Sequence, residues 1–313
     1  MNSNGARPKL SVREKDLSDK ELRRALTRRA HKAWRRLRKS HRRVLRSCSA
    51  NAIHDLRVAT RRLQTLGDLA VFSTPSKRGA RLRKRLKRLR HTLGRRRDVD
   101  VILSKLRERA GNTASARRRR ILRAVIRRIG SEAQQVTKEM YRGTRKTRVK
   151  KIKRLTYEAV RGGRVMNQSS EVLDGAIRQA EEKWLAAIHT AKGRRSPASY
   201  HDVRIKTKTL RYMIELVSRF VDVAGAEATT EWLKAIQDEL GEWHDDIELS
   251  RRVTAVLSQD AEYQANDAAT ALIKSLRDRA EASTGFASKL LMSLPNTWTT
   301  HKGAASSLSG SAR

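Results

Sequence analysis

Two short stretches carry the side chains that could do chemistry. Residues 53–63 read IHDLRVATRRL and residues 200–210 read YHDVRIKTKTL. As α-helix at 100° per residue, each has two opposed faces. In the first, Leu56, Ala59, Leu63, Leu66 and Ala70 form an apolar stripe. His54, Arg57 and Arg61 stand opposite, with Asp55 and Arg62 at the edges. In the second, Val203, Leu210, Met213 and Val217 oppose His201, Arg204, Lys208 and Arg211. One such polar face would be an ordinary solvated surface. Its recurrence at the same His, Arg and cation spacing points to a site. Arg57 and Arg61 lie one turn apart, as do Arg204 and Lys208, a spacing that grips successive phosphates of an extended chain. Arg presents a planar fork to phosphate oxygens, and Lys a point charge. His54 and His201 can donate in either protonation state, and a dense phosphate field would favour the protonated one.

A second pair of stretches repeats at the same distance. Residues 86–98 read LKRLRHTLGRRRD and residues 233–245 read LKAIQDELGEWHD. The offset from Gly94 to Gly241 (241 − 94 = 147) equals that from His54 to His201, which implies two halves built alike. Lys87 and Lys234 sit two turns before these glycines, and Asp98 and Asp245 one turn after, all on one stripe. The glycine would let a neighbouring helix approach closely, and the carboxylate would hold an arginine of the adjacent motif helix in place.

The His-Asp doublets at 54–55 and 201–202, with His244, Asp245 and Asp246, are also the residue types of metal-dependent phosphohydrolases. The pattern argues against that chemistry. Arg57 and Arg61 share the face of His54 and would repel a metal ion, and the doublet's Asp lies about 100° away from the His. Arg97 stands where the second copy has His244. Binding without catalysis, metal or cofactor is therefore the reading.

Charge narrows the partner. The chain has 72 Lys and Arg against 32 Asp and Glu, a net charge of +40. Residues 1–200 hold 58 of these cations against 16 acids, and residues 201–313 hold 14 against 16. Self-repulsion of this size calls for a polyanionic partner: nucleic acid, an inorganic polyphosphate chain or an anionic membrane surface. The asymmetry predicts that the ligand path continues over the first half, across Arg28, Arg35, Lys84 and Arg88. Arg117 to Arg120 and the run TRKTRVKKIKR could contact the phosphates of any duplex, so non-specific nucleic-acid affinity is expected as a side effect, and a dedicated RNA- or DNA-binding protein is the alternative reading. Few aromatics are available for base stacking, and Trp34, Trp184, Trp232 and Trp243 fall at helix-packing or groove-wall positions. With no apolar run near 18 residues and no leader pattern, a cytoplasmic protein that does not enter membranes is expected. Cys48 is the single cysteine, without a partner for a disulfide or a zinc site, and reads as a small buried or half-buried filler.

Low proline and abundant Leu, Ala, Arg, Lys and Glu predict an all-α protein, and no stretch reads as a strand. Helices are expected near 18–47, from the first motif to about Phe72, then 78–109 and 113–140. The second half repeats the order at about 170–191, 199–220, 227–257 and 262–291. Residues 1–17 read as a flexible basic tail, 18–142 as the first half and 143–168 as a connection with a short helix around 149–161. Residues 169–292 read as the second half and 293–313 as a flexible tail.

HDLRVATRRL and HDVRIKTKTLRY, each followed by an LG…D helix, resemble the repeats of the CHAD domain, the conserved histidine α-helical domain, over about residues 18–292. The resemblance implies two four-helix bundles related by a pseudo-twofold around a basic groove or pore. It also implies binding of inorganic polyphosphate and association with polyphosphate granules. The expected phosphate-binding set is His54, Arg57, Arg61, Arg62, Lys87, Arg97, His201, Arg204, Lys208, Arg211 and Lys234, with Asp98 and Asp245 as orienting carboxylates.

Overall fold

The computed structural model describes residues 12–13, 18–73, 76–161 and 169–308. The first half contributes α1 (Asp19–Ser47), α2 (Ala50–Ser73), α3 (Lys77–Asn112) and α4 (Ala116–Arg145), followed by α5 (Val149–Arg161). The second contributes α6 (Ser169–Arg194), α7 (Pro197–Val217), α8 (Ala226–Leu257), the single turn α9 (Ala261–Gln264) and α10 (Asp267–Leu308). Local chemistry sets several boundaries. Ser18 and Glu21 form a reciprocal capping box at the start of α1. Ser196 and Ser199 do the same for α7, with Pro197 in the first turn, where its missing N–H costs nothing. Cys48, half-buried, ends α1 in the left-handed region at φ 47°.

The two halves pack in the same order. Helix α1 lies on α2, α2 on α3 and α3 on α4; correspondingly α6 lies on α7, α7 on α8 and α8 on α10. Helix α5 buries Ile152 and Leu155 and packs against α1, α2 and α3. The apolar interior does not divide along the same line. One large cluster runs through both halves and includes Leu56, Leu63, Leu93, Val203, Leu210 and Leu240. A smaller one joins the far ends of the LG helices to their partners, with Leu103 and Leu106 of α3, Val125 of α4, Leu249 and Val253 of α8 and Leu272 of α10. Each LG helix therefore passes from one cluster into the other. Between Leu93 and Val99 it shows Gly94 to Asp98, and between Trp243 and Leu249 it shows His244 to Glu248. Two apolar blocks thus clamp a polar layer at mid-height. Each fully buried leucine contributes roughly 1.5–3 kcal/mol, which sets the scale of the clamp.

Two features depart from the sequence reading. Val12 and Arg13, assigned to a flexible tail, pair antiparallel with Val223 and Asp222 as β1 (Val12–Arg13) and β2 (Asp222–Val223); the remainder of 1–17 lies outside the described residues. Residues 74–75 and 162–168, the latter including Gly162 and Gly163 of the connection, also lie outside them. The tail expected from 293 is helical as far as Leu308, because α10 has apolar residues still to bury. Leu294 and Trp298 are 1% and 3% exposed. Trp298 packs edge-on to Trp184 and stacks on Trp232, and its Nε1 donates to Glu181 Oε1 at 2.9 Å. Trp184 and Trp243 are core residues, and Trp34 forms part of a groove wall.

Trp298→Ala removes a large buried ring, and should destabilise the protein by about 3–5 kcal/mol. Denaturant unfolding measures this; a loss under about 1 kcal/mol would mean that the end of α10 does not dock on α6.

Candidate functional site

The two motif helices pack against each other, and their polar faces converge. Arg57 and Arg61 of α2 and Arg204 and Lys208 of α7 are all half-buried and lie within one another's fields. Underneath, Thr60 and Thr207 occupy equivalent positions and are completely buried. Each satisfies its hydroxyl on the carbonyl four residues back, Leu56 O at 2.7 Å and Val203 O at 2.9 Å. Thr207 also accepts from Trp184 Nε1 at 2.9 Å, which locks α7 onto α6.

The glycines make room for guanidinium groups rather than for a helix. A methyl group at Gly94 would sit 3.6 Å from Arg57 Nη1, and one at Gly241 would sit 3.8 Å from Arg204 Nη2. Alanine would make ordinary contact there, whereas a larger side chain would push the arginine aside. Arg57 Nη1 donates to the carbonyl of Arg90, one turn before Gly94, at 3.3 Å. The orienting contact expected from Asp98 is thus supplied by backbone. Among the described residues no direct ion pair joins Asp98 to Arg57 or Asp245 to Arg204, and the carboxylates act on the arginines through their field.

Burial is the largest influence on these groups. It lowers Arg61 to about 10, with Arg90 adding repulsion. It lowers Lys208 to about 7, with Arg204, Arg61 and Arg57 acting in the same direction. His201 and His244 lie in contact, tilted to each other, with ring centroids 4.9 Å apart. Burial lowers both, and the neighbouring Arg204 lowers both further, His244 to about 4. Both rings are therefore neutral at pH 7, and the site without ligand does not hold the imidazolium form expected under phosphate. Burial raises Asp245 above the ordinary carboxylate range, against the pull of Lys105 and Arg204.

A family model of the CHAD domain matches residues 28–254. The chain belongs to the CHAD domain family. Its fold is similar to that in the crystal structure of the CHAD domain from the plant Ricinus communis, with a TM-score of 0.63 at 17% identity over 100% of this chain and 98% of that chain. No curated protein matches it.

The other residues expected at this CHAD site are dispersed. His54, Lys87 and Lys234 are exposed, and Arg97 is half-buried and bears on both Arg57 and Asp245. Arg62 lines a small cavity of about 80 Å³ beside the cluster, with Arg29, Lys32, Arg36 and Arg219. Arg211 is drawn away by Glu215, at 2.7 Å, and lies 4.6 Å from the centre of the Tyr212 ring. Its first-half counterpart is Gln64, which makes the same one-turn contact to Asp68 at 3.4 Å. Arg90 and Tyr212 belong to the site although pattern reading did not select them, and so does His244, which the pattern singled out only as a metal-ligand type. Arg90 was detectable as the residue one turn before the LG glycine, and His244 as the direct neighbour of Asp245. Of the cations expected to extend the path, Arg35 lines one groove beside α5, and Lys84 and Arg88 line another. Among the described residues no three His, Cys, Asp or Glu side chains gather as a metal set, and no helix is long and apolar enough to cross a membrane.

Lys208 gives a pH test. Between about pH 7 and its ordinary 10.5, the unfolded chain binds a proton that folded Lys208 releases, so its contribution to stability rises with pH over that window. Below pH 7 the full cost of a buried ammonium is present. Lys208→Met should therefore raise the melting temperature most at or below pH 7, with the gain shrinking towards pH 10.5. A pH-independent difference in melting temperature would show that Lys208 keeps its proton throughout.

Proposed function

We propose that this CHAD domain binds inorganic polyphosphate, without catalysis, in the cleft between α2 and α7. One observation carries the reading. Arg57, Arg61, Arg204 and Lys208 are half-buried together, and none makes an ion pair among the described residues. Cations held this way are costly until an anion arrives. A linear chain with about one negative charge per phosphate places more than one charge within the length of a single helical turn. Such a chain would also restore the proton to Lys208. The neighbouring cavity with Arg29, Arg36 and Arg62 continues the path for longer chains. Family membership supports the same ligand class. The neutral His201 and His244 rings, flanked by arginines, supply hydrogen bonds to phosphate oxygens rather than a metal site.

The test is a matched pair of variants titrated with long-chain polyphosphate. Changing Arg57, Arg61, Arg204 and Lys208 to Ala should weaken binding by at least about a hundredfold, since charge-assisted bonds in a shielded cleft contribute roughly 1.5–3 kcal/mol each. The fold should be as stable as before or more so, because like charges are relieved. Changing the exposed Arg123, Arg127, Arg128 and Lys138 of α4 removes the same charge and should cost less than about tenfold. Equal losses would make total charge the determinant. Short oligophosphates should bind more weakly per molecule than long chains; affinity independent of length would mean a closed pocket for one phosphate.

A further inference from the structure

Helix α5 has no part in the polyphosphate site and no counterpart among α6, α7, α8 and α10. Its inner face, with Ile152, Leu155, Ala159 and Val160, is buried. Its outer face carries Lys150, Lys153, Arg154, Tyr157 and Arg161 in one stripe. A groove runs along each side. Towards α1, Lys153 shares a groove with Arg35, Arg38, Lys39 and Arg42. The buried Trp34 forms part of that wall, and Lys153 Nζ sits 4.8 Å from the centre of its ring, which fixes the lysine in place. Towards α3, Lys151 and Arg154 share a groove with Arg78, Arg81, Lys84 and Arg88. Glu158 is the one acid among the described residues lining either groove, and it is divided between Arg78 and Arg154 at 3.7 and 3.6 Å.

We propose that the α5 ridge and its two flanking rows of cations form a docking surface for double-stranded DNA, separate from the cleft between α2 and α7. A helix with its side chains is about 10–12 Å across, and the major groove of B-DNA is about 12 Å wide with a phosphate backbone along each edge. The ridge enters the groove and each row meets one backbone. A single polyphosphate strand offers one line of charge and cannot meet both rows at once. The A-form RNA duplex has a major groove too narrow and deep for such a ridge. The flanking rows of cations carry the binding through contacts to phosphates, which fix the register of the duplex without reading its sequence.

The full chain and the variant Lys150→Ala/Lys153→Ala/Arg154→Ala are titrated with a DNA duplex of about two helical turns, the equivalent RNA duplex and long-chain polyphosphate, across a salt series. The variant should lose about tenfold or more in DNA affinity, with the slope of log K against log salt shallower by about 0.9 for each phosphate contact removed. Its polyphosphate affinity should stay within about twofold, and the unaltered protein should prefer the DNA duplex to the RNA duplex. Unchanged DNA affinity, parallel losses on DNA and polyphosphate, or an equal or stronger grip on RNA would each overturn the proposal. Lysine acetylation of the unaltered protein gives a second readout that does not depend on the variant folding. Bound DNA should shield Lys150 and Lys153, and unchanged acetylation rates would overturn the proposal as well.

Discussion

Four like charges held half-buried in one cleft are the constraint around which this molecule is arranged. Arg57, Arg61, Arg204 and Lys208 repel one another, and burial removes the water that would screen them. Two apolar clusters, one on either side of the polar layer, outweigh that repulsion. The arginines keep their charge and find partial relief in the Arg90 carbonyl and in the fields of Asp98 and Asp245. Lys208 has an easier route, since an ammonium can release its proton. The fold thus forces these cations together.

The two halves reuse one plan with different chemistry. The pairs Gly94 with Arg57 and Gly241 with Arg204 are geometric equivalents, as are Thr60 and Thr207. The second half departs from this plan at Asp246, where the first has Val99 in an apolar cluster. Asp246, 4% exposed, accepts from Lys105 Nζ at 3.3 Å, Arg279 Nε at 3.1 Å and Ser283 Oγ at 2.8 Å. Burial pushes its carboxyl up, but the Ser283 bond and the neighbouring cations hold it below the ordinary range. Because Lys105 belongs to α3, this carboxylate ties the LG helix of the first half to α8 and α10. The join between halves is therefore polar here, as it is at Arg118 with Ser275 and at Glu132 with Arg252, beside an apolar cluster that both halves share.

The sequence by itself determined the helices, their apolar stripes and the placement of the motif cations on one face. These follow from a repeat of 3.6 residues per turn, and they need no knowledge of distant residues. Leu56, Leu63 and Leu66 of the first motif helix and Val203, Leu210 and Val217 of the second are all buried as their spacing requires. The family was legible for the same reason, since its motifs are helical faces. The protonation states and partners were decided by tertiary structure. His54 and His201 are identical in pattern, yet one is exposed and the other is pressed against His244 beside Arg204. Arg211 looked equivalent to the other motif cations, but a glutamate one turn along pairs with it. Trp298 lies in a segment whose Ser, Thr and Gly content reads as a tail, and it is helical because Trp184 and Trp232 offer a place to bury its ring. Spacing says which side chains share a face. Burial and field depend on what the other helices bring to that face, and that is written in no single stretch of the chain.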